Sequence, residues 1–395
     1  MSEATHLGWV DRHGRLHVAD APGSGGEMPT VSPAEAGWPG VDGRLLLCPD
    51  AAAGHSLPDG SGTLVMCDLA GPDGEPSPWC SRSLLRRAVE RAADRGLTVI
   101  AAAEIEFFLL DPEEDRPVFA NIEQYGIVAG EPYEPVLRRV RGLRSSGVPV
   151  VASNCEYGGG QFEVNLRHGH ALPAADEVIL LRHWAREIAE DEGYRISFDA
   201  KPWADNSGSG MHFHQSLWDG ERNLFWDGEP GRLSPAGQAY LAGLLEAMPE
   251  MTMLGSPSAR AYLRRDDLSF CPTVACWGGD NRTVAVRVIA EAEPVTRVEQ
   301  RDSASDANPY LALAAQLNAG LDGIDAGLTP PPMVSGNAYA RDDLPALPSS
   351  LTGALALFAV SGRARELLGD EVHSRLVELA VVDCASDETS ERSWF

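Results

Sequence analysis

Two glutamates flank a run of three glycines in Ser153–Asn165, which reads SNCEYGGGQFEVN. Glu163 lies in an alternating segment, so Gln161, Glu163 and Asn165 share one face of a predicted strand. Glycine lets the backbone approach a ligand closely, and hard cations such as Mg²⁺ bind through carboxylate oxygens. The stretch therefore predicts either a cavity lined by Glu156 and Glu163 or an ordinary polar strand face at the edge of a sheet.

A second pair of carboxylates, Glu104 and Glu106, interrupts the apolar run Thr98–Leu110. Residues two apart in a strand point to the same side. Two buried like charges repel each other unless a positive group lies between them. The pattern favours a metal pocket over the alternative, a strand end that emerges into water.

Two histidines stand at alternate positions in Met211–Ser216, directly after the glycine-rich segment Ser207–Gly210. The alternation predicts a strand that presents His212, His214 and Ser216 on one face. A single histidine is more often structural than a ligand, whereas two on one strand face indicate a binding site.

Basic residues follow in the C-terminal half of the chain. Residues 297–301 alternate as a strand with three charged residues, Arg297, Glu299 and Arg301, on one face. Residues 255–280 read as a loop-rich insertion, either a solvated charge cluster or a mobile flap. The arginines expected to face the carboxylates are Arg264, Arg282, Arg287, Arg297 and Arg301.

These groups together indicate phosphoryl transfer. Five glutamates and a histidine can hold two or three divalent ions, and arginines bind carboxylates and phosphates in a bidentate manner. The sequence contains no GxxxxGK[ST] or GxGxxG loop, so nucleotide binding would not use the common glycine-loop geometry. Metal ions that clamp phosphates, with arginines around the transferring group, are typical of phosphoryl transfer.

Composition limits the class of protein. A chain of 395 residues suggests two domains, divided in the breaker-rich segment Asp68–Trp79 into residues 1–78 and 79–395. The formal charge of −26 argues against nucleic acid or an anionic membrane as the main partner. We find neither an apolar run of roughly 20 residues nor a signal-peptide pattern. Seven cysteines without a CxxC pair predict reduced thiols and a cytoplasmic location.

Periodicity places the elements that position these groups. Predicted helices precede and follow the polar strands along the chain. They are Ser81–Arg95, residues 134–147, Ala174–Glu192, Pro235–Met248, Pro309–Leu321, Ser349–Phe358 and Gly362–Leu379. A further strand is predicted at Arg195–Lys201.

Five motifs occur in a fixed order: EIEFFLL, GGGQFEVN, GSGMHFHQSLW, NRTVAVRV and RVEQRDSASDANPYLALAAQLNAGLDGI. In this order and at these intervals they resemble the glutamine synthetase family, over about residues 45–395. The resemblance implies an α+β fold with an N-terminal β-grasp-like domain. It also implies a large catalytic domain with a curved antiparallel sheet flanked by helices, and homo-oligomeric rings with sites between neighbouring subunits.

The resemblance also assigns roles by motif position. One metal ion would bind Glu106, Glu156 and Glu163, and the other would bind Glu104, His212 and Glu299. ATP and its phosphates are assigned to His214, Ser216, Arg287 and Arg297. Substrate binding is assigned to Arg264, Arg282, Arg301, Asn206 and Phe270, with catalytic roles for Arg282, Arg301 and Glu299. The family reaction forms γ-glutamyl phosphate from glutamate and ATP, with Mg²⁺ or Mn²⁺, and an amine then attacks the acyl phosphate.

Two departures from the family pattern concern the amine. Glutamine synthetases carry an N-terminal aspartate that binds ammonium, but Val31–Pro33 at the matching place contains none. Phe270, two residues before Pro272, stands where the family has a flap glutamate. Ammonium needs carboxylates to replace its water, so we expect a larger amine near Phe270, as in the γ-glutamyl-polyamine, -ethanolamine and -alkylamine ligases.

Other interpretations remain open at this point. They are an ordinary glutamine synthetase that uses ammonia, a ligase for an acid other than glutamate, and a catalytically silent relative that acts as a sensor or scaffold. The last is disfavoured because all six metal-ligand positions are filled.

Overall fold

The computed structural model describes residues 4–23, 26–121, 124–126, 131–266 and 269–387. The strands of this part of the chain are β1 (Ala4–Val10), β2 (Leu16–Asp20), β3 (Thr30–Val31), β4 (Leu45–Ser56), β5 (Gly62–Ala70), β6 (Thr98–Asp111), β7 (Arg116–Pro117), β8 (Val150–Cys155), β9 (Gln161–Leu166), β10 (Gly169–His170), β11 (Arg195–Ser197), β12 (Met211–Asp219), β13 (Arg222–Asn223), β14 (Trp277–Gly278), β15 (Val286–Ile289) and β16 (Arg297–Gln300). Its α-helices are α1 (Ser81–Ala93), α2 (Glu134–Gly142), α3 (Ala171–Asp191), α4 (Pro235–Gly255), α5 (Ala259–Tyr262), α6 (Pro309–Ala326), α7 (Leu351–Val360), α8 (Gly362–Leu368) and α9 (Asp370–Asp387).

Two sheets organise these elements. The smaller sheet has the strand order β2–β1–β5–β4–β3, and the larger one follows the path β14–β15–β16–β12–β6–β9–β8. Short strands extend the larger sheet, because β7, β10 and β11 pair with β6 and β13 pairs with β12. Neighbours in the larger sheet are antiparallel except β14 and β15, and the sheet curls into a half barrel. The predicted α+β fold class is therefore confirmed.

Strand β6 lies between β12 and β9 in the larger sheet, and its two faces differ in polarity. Ile105 and Phe107 are buried in the hydrophobic core, and this face packs against α3. Glu104 and Glu106 alternate with them and are only partly buried, so they lie on the opposite face. One strand thus supplies both the core and the polar surface of the site.

One helix is longer than its sequence pattern predicts. The prediction ended α4 at Met248, but the helix continues to Gly255, although Pro249 lies within it and removes a backbone donor. Helices α4 and α6 pack so closely that a side chain at Gly243 or Gly323 would collide with the backbone of the other helix. This packing outweighs the local cost of the proline.

Two other elements have different bounds from those predicted. The predicted C-terminal helix Gly362–Leu379 is divided into α8 and α9 at Gly369, whose φ of +80° is accessible chiefly to glycine. The strand predicted for Arg195–Lys201 ends at Ser197, because the chain turns away there and no longer pairs with β6.

Within the described ranges, no helix is long and apolar enough to cross a membrane. All seven cysteines are free thiols, as the absence of paired spacing predicted. The domain boundary between residues 78 and 79 stays a prediction.

Candidate active site

Strand register in the larger sheet brings the predicted ligands together. Glu104 of β6 lies directly opposite His212 of β12. Two residues along β6, Glu106 lies opposite Glu163 of β9. Side chains directly opposite each other have Cβ atoms about 4.5–5.5 Å apart, so pairing alone gathers groups that are distant in the sequence.

Cross-strand pairing also brings residues of β15 and β16 to the site. His214 lies opposite Glu299 of β16, and Glu299 in turn lies opposite Arg287 of β15. Nε2 of His214 is 2.9 Å from Oε1 of Glu104. Two groups of donor atoms lie within 4.8 Å of one another: Glu104, His214 and Glu299, and Glu104, Glu163 and His212.

The glycine turn between β8 and β9 positions the remaining carboxylate, Glu156. Gln161 closes the turn, since its N–H donates to the Gly158 carbonyl at 3.1 Å and its carbonyl accepts from the Glu156 N–H at 2.9 Å. The Gln161 side-chain amide also donates to the Gly208 carbonyl at 2.9 Å, which fixes the turn to the segment before β12.

The glycines are needed because this turn packs against the chain itself. A Cβ at Gly159 would lie 2.7 Å from the carbonyl oxygen of Ala120, and one at Gly160 would lie 2.6 Å from Cβ of Pro117. Gly160 also has a φ of +70°. The glycines thus let the turn pack against the chain itself, and their predicted close approach to a ligand stays a prediction.

For two of the glutamates, burial and neighbouring carboxylates outweigh the groups that favour ionisation. Burial, together with the charge of Glu104, raises the pKa of Glu163 to about 9. Burial and the charge of Glu106 raise the pKa of Glu156 to about 7. A bound cation would favour ionisation of both groups. These carboxylates therefore have electrostatic properties that suit the binding of a cation.

A buried nitrogen also fits a cation. Nδ1 of His212 is 3.7 Å from a carboxylate oxygen of Glu104 and 3.7 Å from one of Glu299. It has no hydrogen-bond partner among the described residues, although buried polar atoms normally have one. Oxygen and imidazole donors in this arrangement suit Mg²⁺ or Mn²⁺, so the residues fit the divalent ions that the sequence predicted.

Glu299 differs from the other glutamates because arginines hold it. Arg287 donates to its Oε2 at 2.8 Å, and Arg301 donates to its Oε1. Burial opposes ionisation, but the charges of Arg301, His214 and His212 together outweigh it and lower the pKa of Glu299 to about 2. The structure thus places Arg287 on this carboxylate, and its predicted contact with phosphate stays a prediction.

The other two predicted substrate arginines have different environments. Arg264 is buried, and it donates to the carbonyl oxygens of Asp302 and Ser303 at 3.4 and 3.0 Å. Arg282 is exposed, and its charge favours ionisation of Glu156. Arg282 is therefore the more accessible of the two to a negatively charged substrate.

Three of the four predicted ATP residues line a cavity of about 470 Å³, to which β6, β9, β12 and β16 contribute residues. His214, Ser216 and Arg297 all line it, together with Glu104. Nε of Arg297 donates to Nδ1 of His214 at 3.0 Å, and Oγ of Ser216 accepts from the Trp218 indole at 3.0 Å. Through Glu104, this cavity adjoins the cluster of glutamates.

Phe270 and Asn206 lie around the glycine turn. The Phe270 ring packs edge-on against Tyr157, with 5.3 Å between ring centroids, and Tyr157 follows Glu156 directly. Phe270 has a φ of +48°, which is rare for a bulky residue and costs backbone energy. Asn206 exchanges two hydrogen bonds with the backbone of Gly159, each 3.1 Å long, so it supports the turn.

Sequence reasoning missed Lys201, although it is the only lysine in the chain. Its side chain is buried, and Nζ donates to Oδ2 of Asp266 at 2.6 Å and to Oγ of Ser269 at 3.1 Å. Ser269 precedes Phe270, so this lysine anchors the segment that carries the aromatic ring. A single lysine among 32 basic residues was a signal that could have identified it.

Comparisons with known proteins agree with this geometry. The model of the glutamine synthetase catalytic domain matches residues 78–394. The glutamate–isopropylamine ligase of a Pseudomonas species is 34% identical over 91% of this chain and 82% of the relative. The gamma-glutamylethanolamide synthetase of Streptomyces coelicolor is 33% identical over 90% of this chain and 79% of the relative.

A solved complex of GmaS with ADP superposes with a TM-score of 0.90 at 26% identity, covering 99% of this chain and 95% of that one. Ligases of the matched family use ATP and divalent metals, which agrees with the donor set and the adjoining cavity. The chain therefore belongs to the glutamine synthetase family and is an ATP-dependent carboxylate–amine ligase.

Proposed function

We propose that this ligase activates the γ-carboxylate of glutamate, or of a close analogue, and couples it to an amine other than ammonia. The carboxylate oxygen attacks the terminal phosphorus of ATP, and ADP leaves. The amine nitrogen then attacks the carbonyl carbon of the acyl phosphate, inorganic phosphate leaves, and the nitrogen loses a proton. The products are a γ-glutamyl amide, ADP and phosphate.

The contact between Phe270 and Tyr157 carries the proposal for the amine. This aromatic pair lies next to Glu156, at the place where an ammonium site would need carboxylates in place of water. An aromatic edge suits the carbon chain of an organic amine better than a small, strongly hydrated cation. The positive φ of Phe270 means that the fold tolerates strain to hold the ring there.

The other residues have roles that follow from their positions. His214, Ser216 and Arg297 line the cavity proposed for ATP. Arg282 is exposed and can bind the carboxylate or the transferring phosphoryl group, whereas Arg301 is held on Glu299. Arg264 and Asn206 complete the proposed glutamate site.

Two or three Mg²⁺ or Mn²⁺ ions are proposed per site. The ions would be held by Glu104, Glu106, Glu156, Glu163, His212 and Glu299. When bound, they would supply positive charge to the phosphates of ATP. The chain's own contribution is to hold unpaired carboxylates in a fixed arrangement before any ion arrives.

Two of the relatives support an organic amine, since one is named for isopropylamine and the other for ethanolamine. A homo-oligomeric ring with sites between subunits and a cytoplasmic location belong to the same proposal. Sedimentation of the purified protein would test the ring, because a monomer at micromolar concentration would contradict it.

The nucleophile is tested by measuring phosphate release with glutamate, ATP and Mg²⁺. Ammonium is compared with methylamine, ethanolamine, isopropylamine and 1-aminobutane, and the amide product is identified by mass spectrometry. We expect at least one organic amine to exceed ammonium in kcat/KM. Ammonium as the best substrate would contradict the proposal and support an ordinary glutamine synthetase.

A control variant shows that turnover comes from this site. Glu299→Gln removes a charge from the paired centre and should abolish phosphate release with every nucleophile. Unchanged turnover in this variant would mean that a contaminating ligase produced the signal.

A further inference from the structure

A series of hydrogen bonds runs through the core behind β12 and β16. On α4, the hydroxyl of Tyr240 donates to Oε1 of Gln215 at 2.5 Å. Nε2 of Gln215 donates to Oε1 of Gln316 on α6, also at 2.5 Å. Nε2 of Gln316 then donates to Oγ of Ser303 at 3.3 Å. These four side chains form the buried polar network, which links two helices to β12 and to the segment after β16.

All members of the buried polar network lie in the core, where an apolar residue is more usual. Each is at most 4% exposed. Gln215 lies between His214 and Ser216 on β12, so its side chain is on the face opposite the site. Burial raises the pKa of the Tyr240 hydroxyl, which keeps it protonated as a donor. Glutamine is seldom fully buried, and a fully paired network of this kind specifies one arrangement of the core.

The network returns to the strand that it starts from. The carbonyl of Ser303 accepts from the N–H of Met211, at the start of β12, at 2.9 Å. The same carbonyl accepts from Arg264 at 3.0 Å. Ser303 is therefore tied to β12 twice, once directly through Met211 and once through Gln316 and Gln215. These contacts fix the segment after β16 against β12.

The pairing between β12 and β16 is itself short. Strand β16 has four residues, and it pairs with β12 at three positions, one of which sets His214 opposite Glu299. A slip by one residue would turn Val298 or Gln300 toward the site in place of Glu299. Three pairs of residues provide few backbone contacts to resist such a slip, so contacts outside the sheet are needed to hold the register.

Gln300 adds a further contact on β16. Its Nε2 donates to Oδ1 of Asp302 at 2.9 Å, whereas its buried Oε1 has no hydrogen-bond partner among the described residues. Gln300 lines a cavity of about 20 Å³ together with Ser303 and Gln316. About 10–15 Å³ is enough for one water molecule. A water molecule in this cavity would join Gln300 to the buried polar network.

We propose that Gln215 and Gln316 are positioning residues for the cation site. Through the buried polar network they hold β12 and β16 in the register that sets His212 and His214 beside Glu299, and they contact neither an ion nor a substrate. The proposal rests on the metal ions of the proposed function and specifies what keeps their ligands in place. An apolar core could match the network in stability, but it would hold the register less strictly.

The main variant removes the whole network. Tyr240→Phe, Gln215→Met and Gln316→Met are combined, because replacing both partners of a buried hydrogen bond by apolar groups of similar shape can be nearly neutral for stability. The thermal midpoint in EDTA should therefore stay close to that of the wild-type protein. The dissociation constant for Mn²⁺, measured by calorimetry where both proteins are folded, should rise about tenfold. A wild-type dissociation constant in the folded triple variant would overturn the proposal.

Tyr240→Phe alone is a milder variant, and Tyr310→Phe is its matched control. Both tyrosines are fully buried, and each donates one hydrogen bond to a side chain, Tyr240 to Gln215 and Tyr310 to Asp176. Tyr240→Phe should raise the Mn²⁺ dissociation constant roughly threefold. Tyr310→Phe should lower the unfolding midpoint but keep the wild-type Mn²⁺ affinity. An equal rise in both variants, or in neither, would overturn the proposal, whether or not the triple variant folds.

The outcomes separate this proposal from the proposed function. Mn²⁺ binding is measured without glutamate, ATP or amine, so it does not depend on the nucleophile. If organic amines exceed ammonium but the variants keep the wild-type affinity for Mn²⁺, the positioning role is overturned and the amine ligase stands. If ammonium is the best substrate but the triple variant and Tyr240→Phe bind Mn²⁺ more weakly, the positioning role stands and the proposed amine is wrong.

Discussion

The two main clusters of carboxylates in this chain differ in what neutralises them. In the arginine-paired cluster, Asp50, Asp68 and Asp176 surround Arg82 and Arg86. The glutamate cluster consists of Glu104, Glu106, Glu156, Glu163 and Glu299, and its internal arginine contacts go to Glu299. The first cluster is nearly balanced by the chain itself, whereas the second has an excess of negative charge.

The consequences appear in the ionisation of the two clusters. Burial opposes ionisation of Asp50, but hydrogen bonds from Arg86 and Arg82 lower its pKa to about 2. Burial and neighbouring carboxylates instead raise the pKa of Glu163 to about 9. We infer that the arginine-paired cluster joins parts of the fold, and that the glutamate cluster, whose arginine contacts go to Glu299, is suited to binding an external cation.

The joining role is visible in the contacts of Arg82. It lies on α1, and its guanidinium is shared among β4, β5 and α3 through Asp50, Asp68 and Asp176. Tyr310 on α6 also donates to Asp176 at 2.6 Å. The cluster thus connects the smaller sheet to the helices behind the larger one.

The largest expected effect is on catalysis. Glu163→Ala should lower metal-dependent turnover by about a thousandfold or more, since it removes a ligand from the unpaired cluster. The protein should remain folded, because the deleted charge is uncompensated. Glu187→Ala, at an exposed position on α3, is the control. Retained turnover in Glu163→Ala would instead indicate that Gln161–Asn165 is an ordinary polar strand without a metal ligand.

The next effect is on stability. Arg82→Met leaves Asp176 buried without its cation, and breaking a buried pair costs about 3–5 kcal/mol. The apparent unfolding midpoint should fall accordingly. Arg95→Met breaks a surface pair with Asp325 and should cost about 1 kcal/mol or less. Equal losses of stability in the two variants would contradict the role of Arg82 in joining parts of the fold.

A smaller effect concerns pH. Glu163 and Glu156 have raised pKa values in the folded protein, so their contribution to stability is fully present below the ordinary value of 4.5 and is lost as the pH rises to about 7 for Glu156 and about 9 for Glu163. In EDTA, the thermal midpoint should therefore fall across this range. Saturating Mg²⁺ should reduce the fall, because ligand binding to the folded state stabilises it. An identical pH profile with and without Mg²⁺ would contradict this account.

The smallest expected effect is on positioning. Lys201→Met releases Asp266 and Ser269, and hence the segment that carries Phe270. The KM for the amine should rise about tenfold, which corresponds to about 1.4 kcal/mol, while the KM for ATP stays within about twofold. An equal rise in KM for the amine and for ATP would indicate general destabilisation instead.

Local patterns in the sequence were sufficient to predict the faces of the strands. Alternation in β12 and β6 placed His212 and His214 on one face and Glu104 and Glu106 on another, because the strand period is two residues. The motif order then predicted the family. These features depend only on residues close together in the chain.

Long-range pairing could not be predicted in this way. The register that places Glu299 between His214 and Arg287 depends on strands far apart in the sequence. The packing of Gly159 against Ala120 and the burial of Lys201 depend on loops without periodicity. The α4 and α6 contact likewise overrode the break expected at Pro249.

Binding of Mn²⁺, measured by calorimetry, tests the contrast between the two clusters most directly. The wild-type protein, Glu163→Gln and Asp68→Asn are compared in the same buffer, since both variants remove one carboxylate charge. We predict that Glu163→Gln weakens or abolishes binding at one or more sites, whereas Asp68→Asn retains the wild-type stoichiometry and affinity. Equal affinities in all three proteins, or an equal loss in both variants, would contradict the claim that the glutamate cluster is the cation site.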